Sequence, residues 1–301
     1  MSAPMSKQTL VIAGITVNVF SQPDAATPAD PVAVLFLLHG RMSNAAQIEP
    51  IAHGILDEVH EYRKKALPPG GKADDLVIVT FDHRNHGTRL VEELANWHWT
   101  DEPGKNNVRH AIDMYAIQTG TANDVSFLID FLPAYLFPYG ERQISQWLVS
   151  GISLGGHSTW ITLKNDSRVK LGIPIIGCPD YLTLMSSRAA QNGISVGPPH
   201  FPKSLLEYVR AHDPAAAPHT ADAPASTNPF RGKKVLVLCG QEDDIVPWSA
   251  SEKFVGELDV GEAEGGVKEV LVEKGTGHRC SEGMVKRAAE FVWKNALLRQ
   301  V

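Results

Sequence analysis

A series of apolar runs, each ending in a polar cluster, constrains what this chain can fold into. The runs are Val32–Leu38, Leu76–Phe81, Gln146–Ser150, Leu171–Cys178, Lys233–Cys239 and Val267–Val272. Short runs with little polar alternation suit strands covered on both faces. Helical patterns lie between them. Asn44 with Gln47 resembles a capping box and opens a helix to about Arg63. Val125, Leu128, Ile129 and Leu132 fall on one helical face, which Pro133 and Pro138 close. Helices are also predicted over Gly156–Lys164, about Ser249–Leu258, and along Met284, Ala288, Phe291 and Asn295. Such alternation demands an α/β fold: a mostly parallel central sheet with helices on both faces. Before the first run, Leu10–Phe20 reads as two short strands turning at Gly14, an antiparallel edge.

A single domain over residues 1–301 is expected, with a small lid-like insertion at about 179–229. That insertion holds a short helix near Ser204–Arg210 and an Ala/Pro-rich loop. The stretch from Thr88 to about Asp113 reads as a long irregular loop. A net charge of −6 gives no electrostatic reason for nucleic acid or an anionic membrane as partner. Three cysteines are too few for a disulfide framework, and no metal-site spacing occurs among them. Cys178 and Cys239 read as buried thiols; Cys280 has both a reactive and a packing reading. The N-terminal residues lack a signal-peptide pattern, and no apolar window approaches a bilayer span. A soluble, cytoplasmic protein is the expectation.

The polar clusters at the run ends carry the chemistry. In open α/β sheets, ligands bind beyond the carboxyl ends of the strands. Gly151-Ile152-Ser153-Leu154-Gly155 stands where a strand turns into a helix, a turn that lifts the serine above the sheet edge. A serine hydroxyl needs a base, and histidine suits that task at neutral pH. The histidine needs a carboxylate to fix its tautomer. Ser153, Asp243 and His278 occur in the chain order associated with this arrangement.

The chain resembles the α/β-hydrolase superfamily, and within it serine esterases of the dienelactone-hydrolase and prolyl-oligopeptidase-like branch. His39-Gly40, the turn Asp82-His83-Arg84-Asn85-His86-Gly87, the serine elbow, Gly240–Pro247 and Gly277-His278 carry the likeness. The resemblance implies Ser153 as nucleophile, His278 as general base and Asp243 as the orienting acid, with Asp244 as competitor. It implies an oxyanion hole from the backbone N–H of Leu154 and of Arg41, with Met42 the next choice. It requires no cofactor and no metal.

Other residues keep two readings. His83 and His86 are metal-like in spacing or hold the turn after a strand. Trp97, His98 and Trp99 line a substrate pocket or pin their loop. Tyr181 and Trp248, like Met185 and Phe201, are substrate contacts or core, and Met42 is expected as a substrate contact. The Arg41 side chain meets a substrate carboxylate or is solvated. The function expected is hydrolysis of a small or medium-sized carboxylic ester through an acyl-enzyme. The same triad serves a thioesterase, lactonase, peptidase or acyltransferase. A non-catalytic ligand-binding protein of this fold is the alternative of another class.

Overall fold

β1 (Ser6–Ile12) and β2 (Ile15–Ser21) form an antiparallel hairpin. Gly14 takes a φ of 83° at its turn, a conformation that favours glycine. The apolar runs follow as β3 (Val32–Leu38), β4 (Asp75–Phe81), β5 (Ile144–Ile152), β6 (Val169–Ile175), β7 (Lys234–Gly240) and β8 (Val267–Glu273). Together they make an eight-stranded sheet of order β1-β2-β4-β3-β5-β6-β7-β8. The β1–β2 and β2–β4 pairs are antiparallel, and the other five pairs are parallel. The computed structural model describes residues 5–22, 31–67 and 71–299.

The helices are α1 (Glu49–Ala66), α2 (His110–Leu136), α3 (Leu154–Asn165), α4 (Tyr181–Gln191), α5 (Lys203–His212), α6 (Glu252–Glu257) and α7 (Glu282–Val292). Successive strand side chains point to opposite faces, so β3 builds both halves of the core. Val34, Phe36 and Leu38 pack with Val125 and Leu128 of α2 and Trp160 of α3. Leu35 and Leu37 pack with Ile55 of α1 and Phe291 of α7. The mostly parallel sheet with helices on both faces is what the alternation predicts, and it is the α/β-hydrolase arrangement that the resemblance implies.

Two elements differ from the sequence reading. α2 starts at His110, inside the stretch read as irregular, and continues through Pro133. Its first half buries Ala111, Met114, Tyr115 and Ile117 in a cluster with Tyr181, Met185 and Phe201. Burial on more than one side erases the one-sided periodicity that marks a surface helix. Pro133 is tolerated because it stands in the last turn, where one lost ladder bond matters least. The second difference is α4, which opens the region of the expected insertion. Asp180 caps it, accepting from Thr183 N at 2.9 Å. Among the described residues, no helix is long and apolar enough to cross a membrane.

The strand order reverses between β3 and β5, where Leu38 lies opposite Gly151. The loops leaving these two strands therefore diverge from one point, which opens a crevice at the carboxyl edge.

Candidate active site

Ser153 sits in that crevice, at φ 54° and ψ −109° between β5 and α3. Positive φ in a residue other than glycine is strained, by about 1–3 kcal/mol. Three bonds hold it there. Ser153 N donates to Ile175 O at 2.9 Å, Gly155 N to His39 O at 3.1 Å, and His157 N to Ser153 O at 2.9 Å. The flanking glycines are steric necessities. A Cβ on Gly151 would lie 2.3 Å from Gly155 O, and one on Gly155 would lie 2.4 Å from Leu38 O.

The acid and the base come from neighbouring strands. The ends of β7 and β8 are stapled by Gln241 N to Glu273 O and Glu242 N to Thr276 O, both 2.9 Å. Gly240 permits the approach, since a Cβ there would stand 2.3 Å from Thr276 O. The two following loops then meet. His278 Nδ1 is 2.8 Å from Asp243 Oδ2, and His278 Nε2 is 2.8 Å from Ser153 Oγ. Asp243 is buried, and its other oxygen accepts from Ile245 N at 3.0 Å and Val246 N at 2.8 Å. With its carboxylate so placed, Nδ1 carries the imidazole proton and Nε2 is left to accept from the serine. Asp244, the competitor, is exposed and makes no such contact with His278.

The loop after β3 lies across from Ser153. A Cβ on Gly40 would be 3.8 Å from Ser153 Cβ. His39 braces this loop. Its Nδ1 donates to Gly40 O at 2.7 Å, and its Nε2 accepts from His83 N at 3.0 Å. Burial lowers the His39 pKa to about 4, so the ring is neutral and makes both bonds. Leu154 is the first residue of α3, where a helical N–H lacks an intrahelical partner. Arg41 and Met42 follow Gly40, Met42 with a φ of 60°.

The turn after β4 supports the same loop. Asp82 accepts from Ala45 N at 2.8 Å and from Thr88 N and Oγ1 at 2.7 Å. The His83 ring stacks on His39, centroids 3.8 Å apart, and His86 Nδ1 bonds Arg84 O at 3.0 Å. His86 thus bonds back within the turn, whereas the His83 ring packs on the loop after β3. Cys280 is half-buried, and burial pushes its thiol up to about 12.

A cavity of about 250 Å³ opens beside these loops, lined by Arg41, His98, Trp99, Arg188, Asp244 and Ile245 among others. Of the expected contacts, Arg41, His98 and Trp99 are on its wall. The rest are placed elsewhere. Tyr181 is 3% exposed and belongs to the core, with its hydroxyl bonded to Ala111 O. Met185 and Phe201 are buried in the same cluster. Trp248 packs against the core side of the sheet instead of the cavity. Trp97 carries the Lys105 ammonium 5.0 Å above its ring, so it pins its own loop. The Met42 side chain is 50% exposed. Arg188 was not among the expected residues. It lies on α4, and a helix inside an apparent loop gives a sequence reader no direction for its side chains.

The family model for the prolyl oligopeptidase family matches residues 139–296, a little over half of the chain. No curated protein sequence matches significantly. Among solved structures, a Thermus thermophilus protein is similar at 18% identity and TM-score 0.65, over 97% of this chain and 99% of that one. Acetyl xylan esterase 1 from Thermoanaerobacterium sp. is similar at 13% identity and TM-score 0.57, over 98% of this chain and 89% of that one. An acylaminoacyl peptidase is similar at 13% identity and TM-score 0.58, over 98% of this chain but 41% of its own length. At these identities the structural likeness concerns the fold. The family match goes further: this chain belongs to the prolyl oligopeptidase family, a serine-hydrolase family of the α/β-hydrolase fold.

Proposed function

We propose that the chain hydrolyses a carboxylic ester of a small or medium-sized substrate through an acyl-enzyme on Ser153. The observation that carries this reading is the hydrogen-bonded line from Ser153 Oγ through His278 to Asp243, 2.8 Å at each step. His278 Nε2 takes the hydroxyl proton as Ser153 Oγ attacks the carbonyl carbon. Negative charge develops on the carbonyl oxygen, which the backbone N–H groups of Leu154 and Arg41 receive. The imidazolium is stabilised by Asp243, and it hands its proton to the leaving alcohol. Water then repeats the sequence on the acyl-enzyme, and Ser153 is released.

The cavity of about 250 Å³ is at the small end for ligand sites and favours short acyl or alkoxy groups. A peptide amide would pass through the same steps, and the acylaminoacyl peptidase of similar fold makes it the second reading. Fluorophosphonate labelling, followed by rates on p-nitrophenyl esters and on peptide anilides, separates the possibilities. Wild type is expected to label at Ser153 and to turn over esters, and Ser153→Ala to do neither. Ester hydrolysis that persists in Ser153→Ala overturns the mechanism. Faster turnover of anilides than of matched esters overturns the ester assignment alone.

A further inference from the structure

Two guanidiniums share this cavity, and among the described residues neither is in an ion pair. Arg41 reaches it from the loop after β3, and Arg188 from α4. Arg41 Nη1 donates to Asn96 O at 2.9 Å. Arg188 Nη2 donates to Ile245 O at 3.0 Å, and its Nη1 lies 3.2 Å from His110 Nε2. All these acceptors are neutral. By contrast, Arg63, Arg84, Arg89, Arg168 and Arg231 each meet an acid.

The surroundings supply little of the missing charge: burial lowers the Arg188 pKa by more than the nearby Asp243 carboxylate raises it. Burial lowers the pKa of both arginines, and the Arg188 charge lowers Arg41 further, to about 10. Both therefore stay charged at neutral pH. His98 and His110 are lowered by burial first and then by Arg41 and Arg188, which keeps the imidazoles neutral. Asp244 is the one acid on the cavity wall among the described residues; it is exposed and pairs with neither arginine. The lining thus keeps a net positive charge. Desolvating two cations without an anion opposes folding. A fixed guanidinium pair is, in turn, well suited to a planar carboxylate.

Residues of the cavity wall are joined to the Ser153 site through the loops after β3 and β7. Arg41 follows Gly40, whose position faces Ser153, and Ile245 bonds both Asp243 and Arg188. The cavity volume, about 250 Å³, is roughly eight waters' worth, enough for a short acid arm.

We propose that Arg41 and Arg188 form a carboxylate-binding subsite, and that the ester cleaved at Ser153 carries a free carboxylate on a short arm. This inference rests on the serine-ester reading above.

Two matched substrate pairs test it. p-Nitrophenyl hemiglutarate against p-nitrophenyl valerate places the charge on the acyl side. 3-Acetoxypropanoate against propyl acetate places it on the alcohol side. In wild type, kcat/KM is expected to favour the anionic member of one pair by about tenfold or more. That ratio should collapse in Arg41→Gln and in Arg188→Gln, and recover in part in Arg188→Lys. Free glutarate should compete with substrate, and glutaramide should not. The competition measurement needs only wild type, so it stands even where a variant fails to fold. Neutral esters preferred in both pairs, or an unchanged ratio in both glutamine variants, overturns the subsite. Fluorophosphonate labelling run alongside keeps the two readings apart. A labelled, active enzyme without anion preference loses the subsite only, and an unlabelled one loses the ester mechanism.

Discussion

Gly155→Ala is the most direct test of how the elbow is built. A Cβ at position 155 would stand 2.4 Å from Leu38 O and 2.8 Å from Leu38 Cβ, where ordinary contact begins near 3.4 Å. The backbone must therefore give by about 1 Å. Overpacking of this kind costs about 1–3 kcal/mol. Alanine in a helix recovers about 0.5–1 kcal/mol relative to glycine. The net expectation is a loss of about 1–2 kcal/mol, or a Tm lower by about 2–6 °C. The larger effect falls on chemistry, because the atom that must move is the carbonyl of the residue before His39-Gly40. Displacing that loop from Ser153 by about 1 Å is expected to lower kcat by about a hundredfold. Gly256→Ala is the control. It lies in α6, where an added methyl would meet nothing within 4 Å, so the same chemical change should leave kcat alone and hold or raise Tm slightly. Differential scanning fluorimetry and p-nitrophenyl ester kinetics read both. Wild-type kcat and Tm in Gly155→Ala would refute the claim that the close packing of β3 on α3 sets the serine.

Two further outcomes are expected. Asp243→Asn should lower kcat at least a hundredfold more than Asp244→Asn, because only Asp243 reaches His278 Nδ1; the reverse ranking in steady-state kinetics would reassign the acid. The second concerns pH. His157 is buried and lowered to about 4, while an unfolded histidine titrates near 6.5. Its folded pKa lies below its unfolded one, so the stabilisation is fully present above pH 6.5 and is lost as pH falls towards 4. The stability advantage of wild type over His157→Gln should shrink by up to about 3 kcal/mol across that window, read by urea denaturation at several pH values. A gap independent of pH would refute the neutral, buried imidazole.

The strands were legible because central parallel strands are apolar throughout, and Val32–Leu38 is buried at every position. The chemistry at their ends was legible because register converts chain position into distance. Leu38 opposite Gly151 brings Gly40 to Ser153, and Gly240 opposite Glu273 brings the Asp243 and His278 loops side by side. Side-chain direction was not legible. Tyr181 and Trp248 are aromatic residues near a site, but residue type does not say whether a ring faces a cavity or the core. The start of α2 was hidden for a related reason: its residues are buried on several sides, and the expected periodicity is absent.

These facts divide the site in a way that bears on specificity. The hydrogen-bonded line uses only loops that leave β5, β7 and β8. α4 contributes none of it, yet it supplies Arg188 to the cavity wall. The loop after β3 serves both parts, since Gly40 faces Ser153 while the adjacent Arg41 turns its guanidinium towards Asn96. The loop after β7 does the same: Asp243 holds His278, and Ile245 holds Arg188 through its carbonyl. On the proposed reading, the Ser153–His278–Asp243 line and the backbone N–H groups perform the reaction, and neighbouring side chains choose what reacts. Changes on α4 should then move substrate preference while leaving the Ser153–His278–Asp243 line in place.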